Sequence, residues 1–110
     1  MPKEFRHIKK EDLVKKTLFP GGEVTFTHSN TMTLAEWYFE AGAIVPEHSH
    51  PHEQITKVLS GSFELTVAGT KFSLTEGSTG TIPSNIIHSG IALTDCHLID
   101  IFHPVREDYK

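Results

Sequence analysis

Residues 47–54 read Glu-His-Ser-His-Pro-His-Glu-Gln, six polar side chains able to bind a proton or a metal, gathered around one proline. In a strand, residues two apart project from the same face. His48 and His50 therefore share a face, an economical way to bring two imidazoles to one ion. Gln54 has the same parity and stands where Gln-Ile-Thr-Lys-Val-Leu-Ser begins to read as a strand. Glu47 and Glu53 have the opposite parity and are expected to point away, unless Pro51 breaks the phase. His52 keeps the right parity, but beside Pro51 it is expected at the rim. A fourth candidate, His88, follows the proline-headed turn of Ile-Pro-Ser-Asn-Ile-Ile-His, near the start of another strand that could carry it to the same ion. Three imidazoles and one oxygen suit Zn²⁺, Ni²⁺, Fe²⁺, Mn²⁺ or Cu²⁺. A neutral amide oxygen from Gln54 leaves more positive charge on such an ion than a carboxylate would, which favours Lewis-acid work. Solvated loop histidines are the competing account of the same spacing.

The segments that must hold these residues read as strands. Glu-Val-Thr-Phe-Thr-His-Ser alternates, with Val24 and Phe26 on one face. The Glu-Trp-Tyr-Phe segment is rich in β-formers, with Trp37 and Phe39 expected inside as core. Phe63, Leu65 and Val67 alternate with polar residues, Ala68-Gly69-Thr70 turns the chain, and Phe72 and Leu74 resume the pattern, as in a hairpin. A short strand after Gly77 stops at Pro83, and Cys-His-Leu-Ile-Asp-Ile-Phe is apolar on both faces. Residues 1–16 hold one helical turn at most, and no later segment keeps a 3.6-residue apolar period. Many short strands divided by Gly, Pro and Ser turns point to a small all-β barrel or sandwich.

The chain-wide balance narrows the function. At 110 residues the chain is expected to be one domain, with an N-terminal arm over 1–16 and a barrel over about 22–104. A net charge of −4 argues against nucleic acid, which selects a basic patch. No apolar run approaches the roughly 18 residues a membrane span needs, and the charged N-terminus lacks the apolar centre of a secretory signal. A cytoplasmic protein is expected. The single cysteine, Cys96, agrees with a reducing compartment and reads as a small buried apolar residue.

Two stretches carry a family resemblance. Gly42, five residues, His48-Ser49-His50, three residues, Gln54, six residues and Gly61 resemble the first cupin motif, G-x5-H-x-H-x3,4-E-x6-G. Fifteen residues later, Gly77, five residues, Pro83-Ser84-Asn85, two residues and His88 resemble the second, G-x5-P-x-G-x2-H-x3-N. The departures are Gln54 for glutamate, Asn85 for glycine and Ala92 for asparagine. The resemblance implies a double-stranded β-helix, a jelly-roll-like barrel, with a divalent ion held by His48, His50, Gln54 and His88. It also implies a homodimer, for which the lysine-rich N-terminus is either a solvated arm or a strand exchanged with the partner.

The C-terminal strand discriminates further, because the fold hosts many chemistries. Cys96, Leu98, Asp100 and Phe102 share one face, and His97, Ile99, Ile101 and His103 the other. A carboxylate among apolar neighbours is costly to bury unless paired or used. Arg106, just past Pro104, is the nearby cation, and an Asp100–Arg106 ion pair closing the barrel end is one account. The other is functional. Glutamine among the ligands, with Asp100, Phe102 and Arg106 in order, resembles the KdgF family, small cupins that open and ketonise 4,5-unsaturated uronates from pectin and alginate. That resemblance implies a sugar-acid substrate, with Asp100 moving the proton, Arg106 clamping the substrate carboxylate and Phe102 shaping the pocket. Another metal-dependent cupin enzyme, a dioxygenase or sugar isomerase, and a non-catalytic small-molecule-binding cupin are the rivals. His28, His97 and His103 have no motif context and are assigned no role.

Overall fold

A computed structural model of the chain describes residues 4–110. Among these, ten strands form two antiparallel sheets facing one another. They are β1 (Lys16–Phe19), β2 (Gly22–His28), β3 (Thr33–Phe39), β4 (Ile44–His48), β5 (Glu53–Ser60), β6 (Phe63–Val67), β7 (Thr70–Leu74), β8 (Thr79–Ile82), β9 (His88–Ala92) and β10 (Cys96–His103). One sheet runs β1-β2-β3-β10-β5-β8 and the other β4-β9-β6-β7. Short 3₁₀ turns at Lys10–Asp12 and Glu107–Tyr109 are the helical elements among the described residues.

The alternation read along each strand is the alternation between core and solvent. In β3, Ala35, Trp37 and Phe39 point inward, and in β10 so do Cys96, Leu98, Asp100 and Phe102. Trp37 stacks on Phe39 at 5.0 Å, and Phe39 on Phe63 of the opposite sheet at 5.7 Å, an aromatic seam joining the two sheets. Burying a side chain such as Leu98 or Phe102 contributes roughly 2 kcal/mol. Cys96 is buried and free.

The hairpin of β6 and β7 turns on Ala68 and Gly69, both at positive φ, as a two-residue turn requires. Phe72, expected to resume the inward pattern with Leu74, is instead about half exposed. It lies on β7, the edge of its sheet among the described residues. The arm is shorter than expected, because Lys16 already pairs with Val24 and opens β1, and the sheet therefore begins before residue 22. Within the arm, Arg6 donates to the His28 carbonyl.

Two motif positions are explained by backbone conformation. Gly61 has φ +89°, and a Cβ there would stand 2.2 Å from the Asp95 carbonyl oxygen, so glycine is required twice over. Asn85, which departs from the glycine of the second motif, has φ +65°. Asparagine is among the residues that best tolerate this left-handed region. Its N–H donates to the His50 carbonyl at 2.7 Å, tying the loop before His88 to the loop of the histidine stretch.

Candidate active site

The site lies between the sheets, and strand register builds it. His48 ends β4 and His88 begins β9, and the two are direct cross-strand partners. His50 lies beyond the last residue of β4, so its convergence with His48 comes from the loop pinned by Asn85 and not from a regular strand. From the facing sheet, β5 points Gln54, Thr56 and Val58 inward and leaves Glu53 exposed, as parity predicts. Across from them on β10, Gln54 pairs in register with Phe102 and Thr56 with Asp100.

The nitrogens of His48, His50 and His88 all lie within 4.8 Å of one another, the one such grouping of three metal-binding side chains among the described residues. That is close to the span of two metal–nitrogen bonds of about 2.1 Å each. Each ring turns Nδ1 to a backbone carbonyl: His48 to Pro46 at 2.7 Å, His50 to His52 at 3.0 Å and His88 to Ile86 at 2.8 Å. A carbonyl only accepts, so Nδ1 carries the proton and Nε2 keeps its lone pair, the tautomer a metal ligand needs. His88 Nε2 is buried and has no hydrogen-bond partner. Burial pushes the His88 pKa down to about 4, and burial with the Arg106 charge lowers that of His50, so both rings stay neutral near pH 7.

Gln54 brings an amide oxygen to the same place. Its amide nitrogen donates to Thr56 Oγ1 at 2.8 Å, and the Thr56 hydroxyl donates to Asp100 Oδ1 at 2.6 Å. The Gln54 oxygen thereby faces the histidines, 3.0 Å from His50 Nε2. With the His50 proton on Nδ1, two lone pairs confront each other, an arrangement that favours a cation between them. A divalent metal therefore fits the three imidazoles and the amide oxygen.

His52 is half-buried and stands apart from the three converging histidines. Its ring is 5.6 Å from His50 and 6.4 Å from Phe102, outside the triad.

Asp100 is 8% exposed, and burial raises its pKa to about 6 against lowering by the Thr56 hydroxyl, the Gln54 amide and the Trp37 indole. Its carboxyl lines the same cavity as His48, Gln54, His88, Phe102 and Tyr109. The Asp100–Arg106 ion pair that closes the barrel end is not formed. Arg106 gives Nε and Nη2 to the carboxylate of Asp108, at 2.9 and 2.7 Å. Its guanidinium carbon lies 4.7 Å from the Phe102 ring centroid and 4.0 Å from that of Tyr109. The fork expected for a substrate carboxylate is thus occupied from within the chain, while Nη1 is buried and unpartnered. The Arg106 backbone N–H donates to Thr33 Oγ1 at 2.9 Å, which anchors the C-terminal turn beneath the cavity wall.

Four contributors escaped the sequence reading: Thr56, Trp37 as a neighbour of Asp100, Asp108 and Tyr109. Thr56 was findable, because it is a polar residue at the inward parity of β5, two residues past Gln54. Asp108 and Tyr109 lie in a turn with no periodicity to follow.

Comparison with known proteins agrees with this geometry. The family model described as Cupin domain matches residues 35–102. The chain is 35% identical to the pectin degradation protein KdgF of Dickeya dadantii over 85 residues, 76% of this chain and 77% of that protein. The structure of KdgF from a Halomonas species superposes with a TM-score of 0.90 at 27% identity, covering 97% of this chain and 100% of that one. An RmlC-like cupin from Shewanella frigidimarina superposes with a TM-score of 0.89, also at 27% identity, over 96% of this chain and 97% of that one. With the two histidine motifs brought together by the pairing of β4 with β9 and the family match spanning most of the barrel, the chain belongs to the cupin family.

Proposed function

We propose that the protein is a metal-dependent enzyme of pectin and alginate breakdown that converts 4,5-unsaturated uronates to the linear keto form by ring opening and ketonisation. The observation that carries this reading is a buried carboxyl, Asp100, sharing one cavity with His48 and His88 of the converging histidine triad, in a chain similar to KdgF proteins. His48, His50, His88 and the Gln54 oxygen would hold one divalent ion. Bound there, the ion supplies Lewis-acid polarisation of a sugar hydroxyl or carbonyl oxygen.

The protein's own residues carry the proton chemistry. In the substrate the C4–C5 double bond is part of a ring enol ether. As the C1–O5 bond breaks, the C1 hydroxyl loses its proton and becomes an aldehyde. C4 gains a proton and C5 becomes a carbonyl, so the net change is an isomerisation with no co-reactant. Asp100 is assigned the proton delivered to C4, since a carboxyl with pKa about 6 is poised to exchange protons near neutral pH. Arg106 is assigned the substrate carboxylate through Nη1, the one guanidinium nitrogen Asp108 leaves free. Phe102, packed edge-on to His50 at 5.5 Å, shapes the cavity and excludes water. An oxidative or purely ligand-binding role has no comparable use for a buried, protonatable carboxyl. The test is loss of the ultraviolet absorbance of an unsaturated uronate when purified protein is added with each of several divalent metals. Turnover above buffer is expected; no acceleration with any metal overturns the proposal.

The same reading includes a cytoplasmic homodimer. Across the outer sheet face, Ile101 lies in register with Leu34 on one side and Ile55 on the other. All three are more than a third exposed, an apolar row suited to a second copy. Sedimentation should give twice the chain mass, and Ile101→Lys should halve it; a monomeric wild type sinks this part. No helix among the described residues is long and apolar enough to cross a membrane.

A further inference from the structure

We infer that Thr56 is a positioning residue that decides which end of the Gln54 amide faces the metal ligands. The inference rests on the reading of Gln54 as the fourth ligand. An amide can present either oxygen or nitrogen to a neighbour, and the two ends are nearly equal in size. Without a metal, the better local arrangement at His50 is the reverse one, with the Gln54 NH₂ donating to the Nε2 lone pair. Something must therefore hold the oxygen toward the imidazoles.

Thr56 does so through a directed chain. An ionised carboxylate only accepts, so the Thr56 hydroxyl spends its single proton on Asp100, at 2.6 Å. The Thr56 oxygen is then left only to accept, and the partner it faces, 2.8 Å away, must be the Gln54 NH₂. Reversing the amide would set its oxygen against the Thr56 oxygen with no proton between them. A proton taken up on the other oxygen of Asp100 leaves Oδ1 accepting from Thr56, and in that form the orientation is kept. Thr56 is 3% exposed and sits opposite Asp100 across the β5–β10 register, which keeps the chain of hydrogen bonds inside the barrel. Partners that orient metal ligands from one layer out are worth about 10- to 100-fold in metal affinity.

The experiment measures Zn²⁺ affinity by chelator competition and the visible absorption of the Co²⁺-loaded protein, for wild type, Thr56→Val, Thr56→Ser and Gln54→Ala, with folding followed by circular dichroism. Thr56→Val keeps the shape and removes the hydroxyl. It should weaken Zn²⁺ about 10- to 100-fold and shift the Co²⁺ bands, whereas Thr56→Ser should stay within about threefold of wild type. A folded Thr56→Val with wild-type affinity and bands, alongside a weakened Gln54→Ala, overturns the role of Thr56 and leaves Gln54 a ligand. Gln54→Ala indistinguishable from wild type removes Gln54 from the ligand set, and the inference with it. If Thr56→Ser loses as much affinity as Thr56→Val, the methyl group and not the hydroxyl is responsible, and the inference fails. Should Thr56→Val not fold, Thr56→Ala takes its place under the same criteria.

Discussion

His88 and His97 stand on different strands, and the molecule uses the same imidazole in opposite ways on its two surfaces. His97, on the outer face of β10, stacks on Tyr38 at 4.2 Å and sets Nε2 2.7 Å from a carboxylate oxygen of Glu36, an ion pair whenever the ring is protonated. His88, inside, has Nδ1 on a backbone carbonyl and a buried Nε2 without a partner. The difference lies in what faces each ring. A carboxylate neighbour rewards a charged ring, which has no lone pair to offer a metal. A carbonyl neighbour fixes the neutral tautomer and aims the remaining lone pair. His48 and His50 follow His88 in this, and none of the three triad rings has a carboxylate partner.

The contrast makes its strongest claim about metal binding. His88→Ala should lower Zn²⁺ affinity by more than about 1000-fold and abolish turnover, while His97→Ala leaves bound metal unchanged. Metal analysis after dialysis reads both, and equal retention in the two variants would break the distinction. Next in size, Asp100→Asn should cut the rate about 100- to 1000-fold with metal content intact, because asparagine keeps an oxygen to accept from Thr56 but cannot deliver the proton. A variant that turns over normally would remove Asp100 from the chemistry.

A smaller effect is expected in the pH dependence of stability of the metal-free protein, where two buried groups act with opposite sign. His88 falls from 6.5 to about 4, so between those values the unfolded chain binds a proton the folded chain refuses, and stability drops as pH falls through that window. Asp100 rises from 3.8 to about 6, so the folded chain keeps a proton the unfolded chain has released. Its destabilising contribution therefore grows as pH rises from 3.8 to about 6 and is complete above that. Asp100→Asn should accordingly raise the melting temperature above about pH 7 and change it little below about pH 3.5. Equal shifts at both ends would show that burial does not perturb the carboxyl. The least effect belongs to the outer pair: His97→Gln should shift unfolding free energy by less than about 0.5 kcal/mol, since the pair is part-exposed. A loss of several kcal/mol in a denaturant titration would give that pair a structural weight the geometry does not.

Much of the fold was legible in strand parity. The inward runs of β3, β5 and β10 follow an alternation that needs only two-residue periodicity, and it also turned Glu53 outward. It failed where edges matter, since Phe72 keeps the inward parity yet lies on β7, the edge of its sheet among the described residues. The three histidines and Gln54 were legible through spacing, but the reason given for His50 was incomplete. That residue has left the strand, and a hydrogen bond from Asn85, thirty-five positions on, holds its loop.

Local properties are what the sequence by itself determined: which side chains face inward, where turns need glycine or asparagine, and which residues have the chemistry to bind a metal. Partner choice was decided only by tertiary structure. Arg106 has three carboxylates near it in the chain, Asp100, Glu107 and Asp108; folding gives it to Asp108 and leaves Asp100 to Thr56, forty-four residues away. The physical reason is that a hydrogen bond reaches about 3 Å. Which groups come within that reach is set by the register between strands distant in sequence, and no local pattern records it.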